Sequence, residues 1–325
     1  MSPDLLLNAG LRVLLAARPL VCLDVGSRGG FEADLLAVAG AVDAVGFEPE
    51  PAAFAALSTQ GRGPWRSLRH LPHALGGSAG ERVLHIPEDP EGASLLPHAP
   101  SVAEAFGKGQ FTREVATVAV RVMTLDQALE QAGIGRAVYL KLDVEGAELE
   151  ILRGAPHTLD GLLAIKTEVS FLPFRTGQPL ARDVDAFLAS QGFDLMDLVR
   201  PHHWRLRGYV IHPQAAAQAV PYSRGQLVQG DFLYFRRPDT IESMDDRLRA
   251  AALAMAHGYF DHAFRLLTEP ATAAWLTDNH GIEPEPLIDR CSQVYGRHVW
   301  RQAVADHLRR LVTFGRSFRA LWGRP

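Results

Sequence analysis

The densest group of chemistry-bearing residues is the run Tyr139-Leu140-Lys141-Leu142-Asp143-Val144-Glu145-Gly146-Ala147-Glu148. The chain has only three lysines, at 108, 141 and 166, against 30 arginines, and two of the three lie inside apolar, strand-like stretches. Alternation along a strand puts Lys141 and Asp143 on one face, with Glu145 following at the loop, and groups Lys166, Glu168 and Ser170 on another strand. Charges are costly to bury unless paired, so the pattern predicts a lysine–carboxylate cluster across neighbouring strands. Beyond holding a sheet, such a cluster has two chemical uses. A carboxylate whose surroundings raise its pKa can orient or deprotonate a hydroxyl, the role expected of Asp143 and Glu145. Alternatively, Asp143, Glu145 and Glu168 hold one Mg²⁺, which takes oxygen ligands and lowers the pKa of a bound hydroxyl. The residues alone leave both open.

A second group sits earlier. An apolar run over 20–25 ends in Asp24-Val25-Gly26-Ser27-Arg28-Gly29-Gly30, and the next run ends in Phe47-Glu48-Pro49, with Glu48 24 residues after Asp24. Glycines at a strand-to-helix turn let backbone approach a ligand, and the helix start offers unpaired N–H groups. An acid at the tip of the second strand can accept both hydroxyls of a ribose. The dinucleotide fingerprint is absent, because Arg28 and Phe31 occupy glycine positions, and no phosphate-binding G-x-x-x-x-G-K motif exists. Asp24 ahead of the glycines would repel a pyrophosphate but suits a cationic ligand. That favours S-adenosylmethionine, with its sulfonium and ammonium, over a nicotinamide cofactor.

These residues need a scaffold. Apolar runs at 20–25, 42–47, 138–144, 162–171 and 193–199 read as buried strands. Helical patterns at 31–40, 52–60, 124–132, 148–153 and 183–191 alternate with them. The alternation implies a mostly parallel sheet with helices on both faces, a doubly wound α/β fold. Segments 82–86 and 114–122 read as antiparallel additions flanking a loop over 87–112 that covers the site. A final strand is expected at 231–236. Beyond Pro238 the strand signal stops, and 244–267 and 294–322 carry helical spacing. The expected division is 1–240 for the catalytic domain and 241–325 for a helical C-terminal extension.

Lys141-Leu-Asp-Val-Glu-Gly-Ala-Glu-Leu-Glu-Ile-Leu-Arg-Gly154 resembles the signature of the FkbM-type methyltransferases. Asp24-Val-Gly26…Gly30 and Phe47-Glu48-Pro49 resemble that family's two cofactor motifs, and Ala93-Ser94-Leu95, Thr124-Leu125-Asp126 and Gly230-Asp231 follow in its order, over roughly residues 20–237. The resemblance implies a class I methyltransferase (Rossmann-like) sheet of seven strands whose last strand is antiparallel. It also implies methyl transfer from S-adenosylmethionine to an oxygen. By the same resemblance Asp24, Gly26 and Gly30 line the methionine part, Glu48 binds the ribose, and Ala74 and Leu75 lie near the adenine; Ser27, within the same turn, is also expected to bind the cofactor. Where the family has Ala-Asn after the first glycine, this chain has Ser27-Arg28, which alters contacts to the methionine carboxylate. The implied acceptor is a small-molecule, lipid-like or glycan hydroxyl, with a glycan preferred.

Composition limits the alternatives. Hydrophobic residues are 47% and charged residues 22%, as in globular proteins, and the net charge of −4 gives no reason to expect a nucleic-acid partner. From 293 to 325, seven arginines face one acid, a net of +6 that leaves −10 for the rest. There Trp300, Val304, Leu308, Leu311, Phe318 and Trp322 recur at helical steps. Such a basic amphipathic helix packs on its own domain, joins a homo-oligomer, or makes peripheral contact with an anionic membrane. Two cysteines build no disulfide framework, which fits a reducing cytoplasm. His202-His203-Trp204, read as a loop, and Phe106 and Phe111 are further candidates for acceptor contacts. The rival from another class is a non-catalytic, cofactor-binding scaffold acting through the tail.

Overall fold

Leu20-Val21-Cys22-Leu23-Asp24-Val25 and its successor at 42–47 are apolar on both faces, the composition of strands covered by helices on both sides. The computed structural model describes residues 2–207 and 225–322, with side chains as far as 312. Ten strands form among them: β1 (Leu20–Val25), β2 (Val42–Phe47), β3 (Ser67–Leu71), β4 (Ala74–Leu75), β5 (Gly80–Pro87), β6 (Glu114–Met123), β7 (Tyr139–Leu142), β8 (Ala164–Ser170), β9 (Phe193–Trp204) and β10 (Gln226–Arg236). Seven make one sheet, ordered β3-β2-β1-β7-β8-β10-β9. The strands β3, β2, β1, β7 and β8 are parallel, and β10 runs antiparallel to both β8 and β9. This is the class I methyltransferase arrangement. The direction of winding reverses between β1 and β7, and in open α/β sheets ligands bind at the carboxyl ends of strands beside such a switch point.

A smaller sheet, β4-β6-β5, flanks that end, with β5 antiparallel to β6 as expected and β3 and β4 unanticipated. Other differences have local causes. The helix expected at 31–40 is a run of 3-10 turns, Ala33–Ala41, kinked at Val38, which leaves helical geometry at φ −127°. The strand expected to reach 144 stops at Leu142, where Glu145 and Gly146 take positive φ. The helix expected over 244–267 is two, Met244–Ala256 and Phe260–Leu267, broken at Gly258 (φ +89°). His202 and His203 lie within β9 rather than in a loop after it.

Two hydrophobic clusters sandwich the sheet. Leu23, Val25, Leu140, Leu142 and Ile165 face helices Leu125–Ala132, Glu148–Arg153 and Ala181–Ser190. Leu20, Cys22, Tyr139, Ala164, Leu233 and Phe235 face the leading helix Ala9–Ala16, the 3-10 run and the helices beyond residue 240. The C-terminal extension therefore forms part of one wall. Among its fully buried side chains are Leu248, Leu253, Met255, Leu266, Leu267 and Leu276. Burying each contributes about 1.5–3 kcal/mol, so losing six removes about as much as a domain's whole stability of roughly 5–15 kcal/mol. A fragment ending at residue 240 is thus expected to unfold without a cooperative transition, which thermal melts followed by near-ultraviolet circular dichroism will report. No helix among the described residues is long and apolar enough to cross a membrane.

Candidate active site

The first turn is built by β1, β2 and β7 ending side by side. Gly26 (φ +90°) packs so closely that a Cβ there would stand 2.0 Å from the Asp143 carbonyl oxygen. Its N–H donates to the Phe47 carbonyl (3.2 Å), and that of Asp143 to the Val25 carbonyl (3.0 Å). Ser27 donates its hydroxyl to the same Phe47 carbonyl at 3.2 Å, and the Gly30 N–H closes the turn on the Ser27 carbonyl at 2.8 Å. Around these tips opens a cavity of about 560 Å³. Gly26, Arg28 and Gly29 line it from the turn, Glu48 from the end of β2, Ala74 and Leu75 from β4, and Asp143 and Glu145 from the end of β7. Of the residues expected to bind the cofactor, Asp24, Ser27 and Gly30 do not line it; nor do Glu168 and the acceptor-contact candidates Phe106, Phe111, His202, His203 and Trp204.

Asp24 is buried instead, accepting the Glu32 N–H (2.8 Å) and lying 3.2 Å from the Lys141 ammonium, which also approaches Asp143 at 3.4 Å. Burial pushes the Asp24 carboxyl up to about 6, against the opposing pull of Lys141. Burial by itself would lower Lys141, but Asp24 and Asp143 more than offset it and hold the ammonium above its ordinary value. Glu48 is 5% exposed, with one oxygen held by the Glu50 N–H at 2.8 Å, and burial raises its pKa. Gly29 has nothing within 4 Å of where a Cβ would point. Open backbone, an acid across the cavity and an apolar wall at Ala74 and Leu75 together fit an adenosyl ligand.

Glu145 occupies the left-handed region (φ 60°), a conformation that persists only when its surroundings hold it. Three contacts do so. Ser94 donates its hydroxyl to the Glu145 carbonyl (2.7 Å), and the buried Arg175 guanidinium donates to the Glu145 carboxylate. The carboxylate of Glu148 accepts the N–H groups of Val144 and Gly146, both at 3.0 Å, bracing the turn. Burial pushes Glu145 up to about 7, with Arg175 opposing and Asp143 adding to the rise. Burial and the neighbouring carboxylates push Glu168 well above its ordinary range. Carboxylate oxygens of Asp143, Glu145 and Glu168 come within 4.8 Å of one another. Such an all-oxygen donor set suits a hard cation such as Mg²⁺.

Lys166 does not pair along its own strand. Its ammonium, 1% exposed, meets Glu32 (2.7 Å), Asp34 (2.6 Å) and Asp231 (3.5 Å). Arg200 reaches the same acids, 3.1 Å from Asp34 and 3.7 Å from Glu32. By strand alternation Asp24, Lys141, Lys166 and Asp231 share one face, so the row of charge continues the apolar wall formed by Cys22, Tyr139, Ala164 and Leu233.

The covering loop is tied down at several points. Arg175 donates to the Gly92 carbonyl (3.3 Å) and Arg28 to the Pro90 carbonyl (3.4 Å), while Ser94 and Leu95 face the cavity. Phe106, Phe111 and Phe174 surround Trp204, with ring centroids 5.9, 6.4 and 5.0 Å away. Phe106 and Phe111 thus pin the loop to β9. Sequence reasoning missed Arg175, Glu32 and Asp34, which lie in no motif. The only signal was that a lysine inside a buried strand requires acids from somewhere.

Residues 24–195 match the family model described as the methyltransferase FkbM domain. No curated protein matches the chain. Among solved structures, Sp1610 of Streptococcus pneumoniae, provisionally assigned as a tRNA (m1A22) methyltransferase, is 12% identical, with 88% of this chain and 96% of that one covered and a TM-score of 0.31. The 23S rRNA methyltransferase ErmE is 9% identical, with 89% and 97% covered and a TM-score of 0.29. Likenesses this distant say nothing of what the present chain acts on.

Proposed function

The chain belongs to the FkbM methyltransferase family, and from that premise we propose that it moves a methyl group from S-adenosylmethionine to a hydroxyl of a small-molecule, lipid-like or glycan acceptor, a sugar hydroxyl being preferred. The observation that carries this reading is a single cavity with Glu48 at one side and Asp143 and Glu145 at another, joined by the open glycine turn. When bound, S-adenosylmethionine supplies a methyl group activated by its sulfonium. Glu48 accepts the ribose hydroxyls, and the turn at Gly26 and Gly29 lets backbone come close. Asp143 and Glu145 receive the acceptor's hydroxyl and take its proton, with Arg175 and Glu148 fixing the direction in which Glu145 points. Holding donor and acceptor in line supplies most of the rate. The covering loop keeps water out.

Glu48→Ala removes two charge-assisted hydrogen bonds, each contributing about 1.5–3 kcal/mol. Calorimetry with S-adenosylhomocysteine should therefore record at least a roughly hundredfold loss of affinity. Unchanged affinity would sink the assignment of the site.

The convergence of Asp143, Glu145 and Glu168 favours a second version of the same chemistry, in which the three carboxylates hold Mg²⁺ and the ion lowers the pKa of the acceptor hydroxyl. That version predicts activity lost to a chelator and restored by added Mg²⁺. Indifference to the chelator leaves the carboxylates acting alone.

A further inference from the structure

Among the described residues, the last helix, Pro284–Trp322, meets the body near its start, where Leu287, Ile288 and Cys291 are buried and Val294 and Tyr295 pack on the same core. Every residue from 299 to 312 is exposed. At about 1.5 Å per residue, positions 297–322 extend roughly 39 Å. A helix in a protein gains most of its stability from packing an apolar face, and this one has such a face exposed among the described residues. Trp300 (67% exposed), Val304, Leu308 and Leu311 lie on one side. At about 100° per residue they span an arc of roughly 80°. By the same count of about 100° per residue, Arg301 falls roughly 20° past one edge of the arc and Arg310 roughly 80° past the other, while Arg309, paired with Asp306 at 2.9 Å, lies opposite. In the sequence Phe318 and Trp322 continue the apolar arc and Arg319 its border, although their side chains lie outside those described.

We propose that this helix docks the protein on an anionic lipid bilayer, lying in the interface with Trp300, Val304, Leu308 and Leu311 in the acyl boundary and the arginines outside the arc on the headgroups. Charge complementarity selects this occupant, since 293–325 carries seven arginines against one acid while the rest of the chain is at −10. A second copy fits less well. A coiled-coil seam through Val304, Leu308 and Leu311 would put Arg301 and Gly315 at its next core positions. A nucleic acid would use the arginines but leaves the apolar arc in water. The inference does not rest on the methyl-transfer reading.

The test is co-sedimentation of the full chain with vesicles of phosphatidylcholine, alone or with phosphatidylserine added. Binding is expected only where phosphatidylserine is present, and it should weaken with salt. Leu308→Glu combined with Leu311→Glu should abolish it. Arg301→Gln combined with Arg310→Gln should reduce partitioning roughly 25-fold, about fivefold for each basic residue near the surface. Melting temperatures of both variants should equal that of the parent, because these side chains are exposed. Binding to neither vesicle, or to both equally, overturns the proposal. So does a dimer in sedimentation equilibrium that the Leu308→Glu pair dissociates, which assigns the arc to a second copy. RNA binding that survives the glutamates and is lost with the arginines overturns it in favour of nucleic acid.

Discussion

Lys166→Met is expected to destabilise the protein by about 3–5 kcal/mol, the usual cost of removing one partner from a buried ion pair. The ammonium is 1% exposed and is the buried cation among Glu32, Asp34 and Asp231, whereas the side chain of Arg200 beside them is 57% exposed. Without Lys166 those carboxylates face one another in a desolvated pocket. The pH dependence has a definite sign. Burial alone would raise Asp34, but Lys166 outweighs it and holds the carboxyl below its ordinary value. A carboxyl depressed on folding adds stability above its unfolded pKa, and that stability is lost as pH falls through the folded value. In the methionine variant this contribution is absent and the acids fold more readily when protonated. Urea unfolding should therefore show a deficit that shrinks from pH 5 to pH 3, across the ordinary aspartate value of about 3.9. An equal deficit at both values would assign the loss to packing instead.

Gly26→Ala is expected to damage the site more than any other single methyl group. The added carbon would lie 2.0 Å from the Asp143 carbonyl oxygen, at a backbone φ of +90° that alanine rarely adopts. Relief requires parting the tips of β1 and β7, which strains the bonds from Gly26 N–H to Phe47 and from Asp143 N–H to Val25. Backbone strain and overpacking of this kind cost about 1–3 kcal/mol. The functional loss should be larger, because Asp143 and Glu145 move relative to Glu48 and a displacement of about 1 Å costs roughly a hundredfold in rate. Calorimetry with S-adenosylhomocysteine and a thermal melt measure the two effects separately. Gly29→Ala provides the contrast, since no atom lies within 4 Å of its added carbon and its melting temperature should not change. Wild-type affinity in Gly26→Ala would remove the turn from the cofactor site.

What was legible in the sequence was local. Runs such as 20–25 and 42–47 declare strands because their periodicity is set by immediate neighbours. The glycine turn and Glu48 are legible because a turn that approaches a ligand accepts few residue types. Those signals, with the 141–154 block, pointed to Gly26, Glu48, Asp143 and Glu145, and the family resemblance added Ala74 and Leu75; the fold gathers all six around one cavity. Tertiary structure alone decided the partners. Lys166 meets Glu32 across 134 positions of sequence, and Arg175 reaches Gly92 across 83. It also turned the helices beyond 240 into a wall of the sheet and withdrew Asp24, Ser27 and Gly30 from the cavity surface. Side-chain periodicity is a property of a few consecutive residues. Which acid neutralises a buried lysine depends on strand order and register, and those are set only when the whole sheet closes.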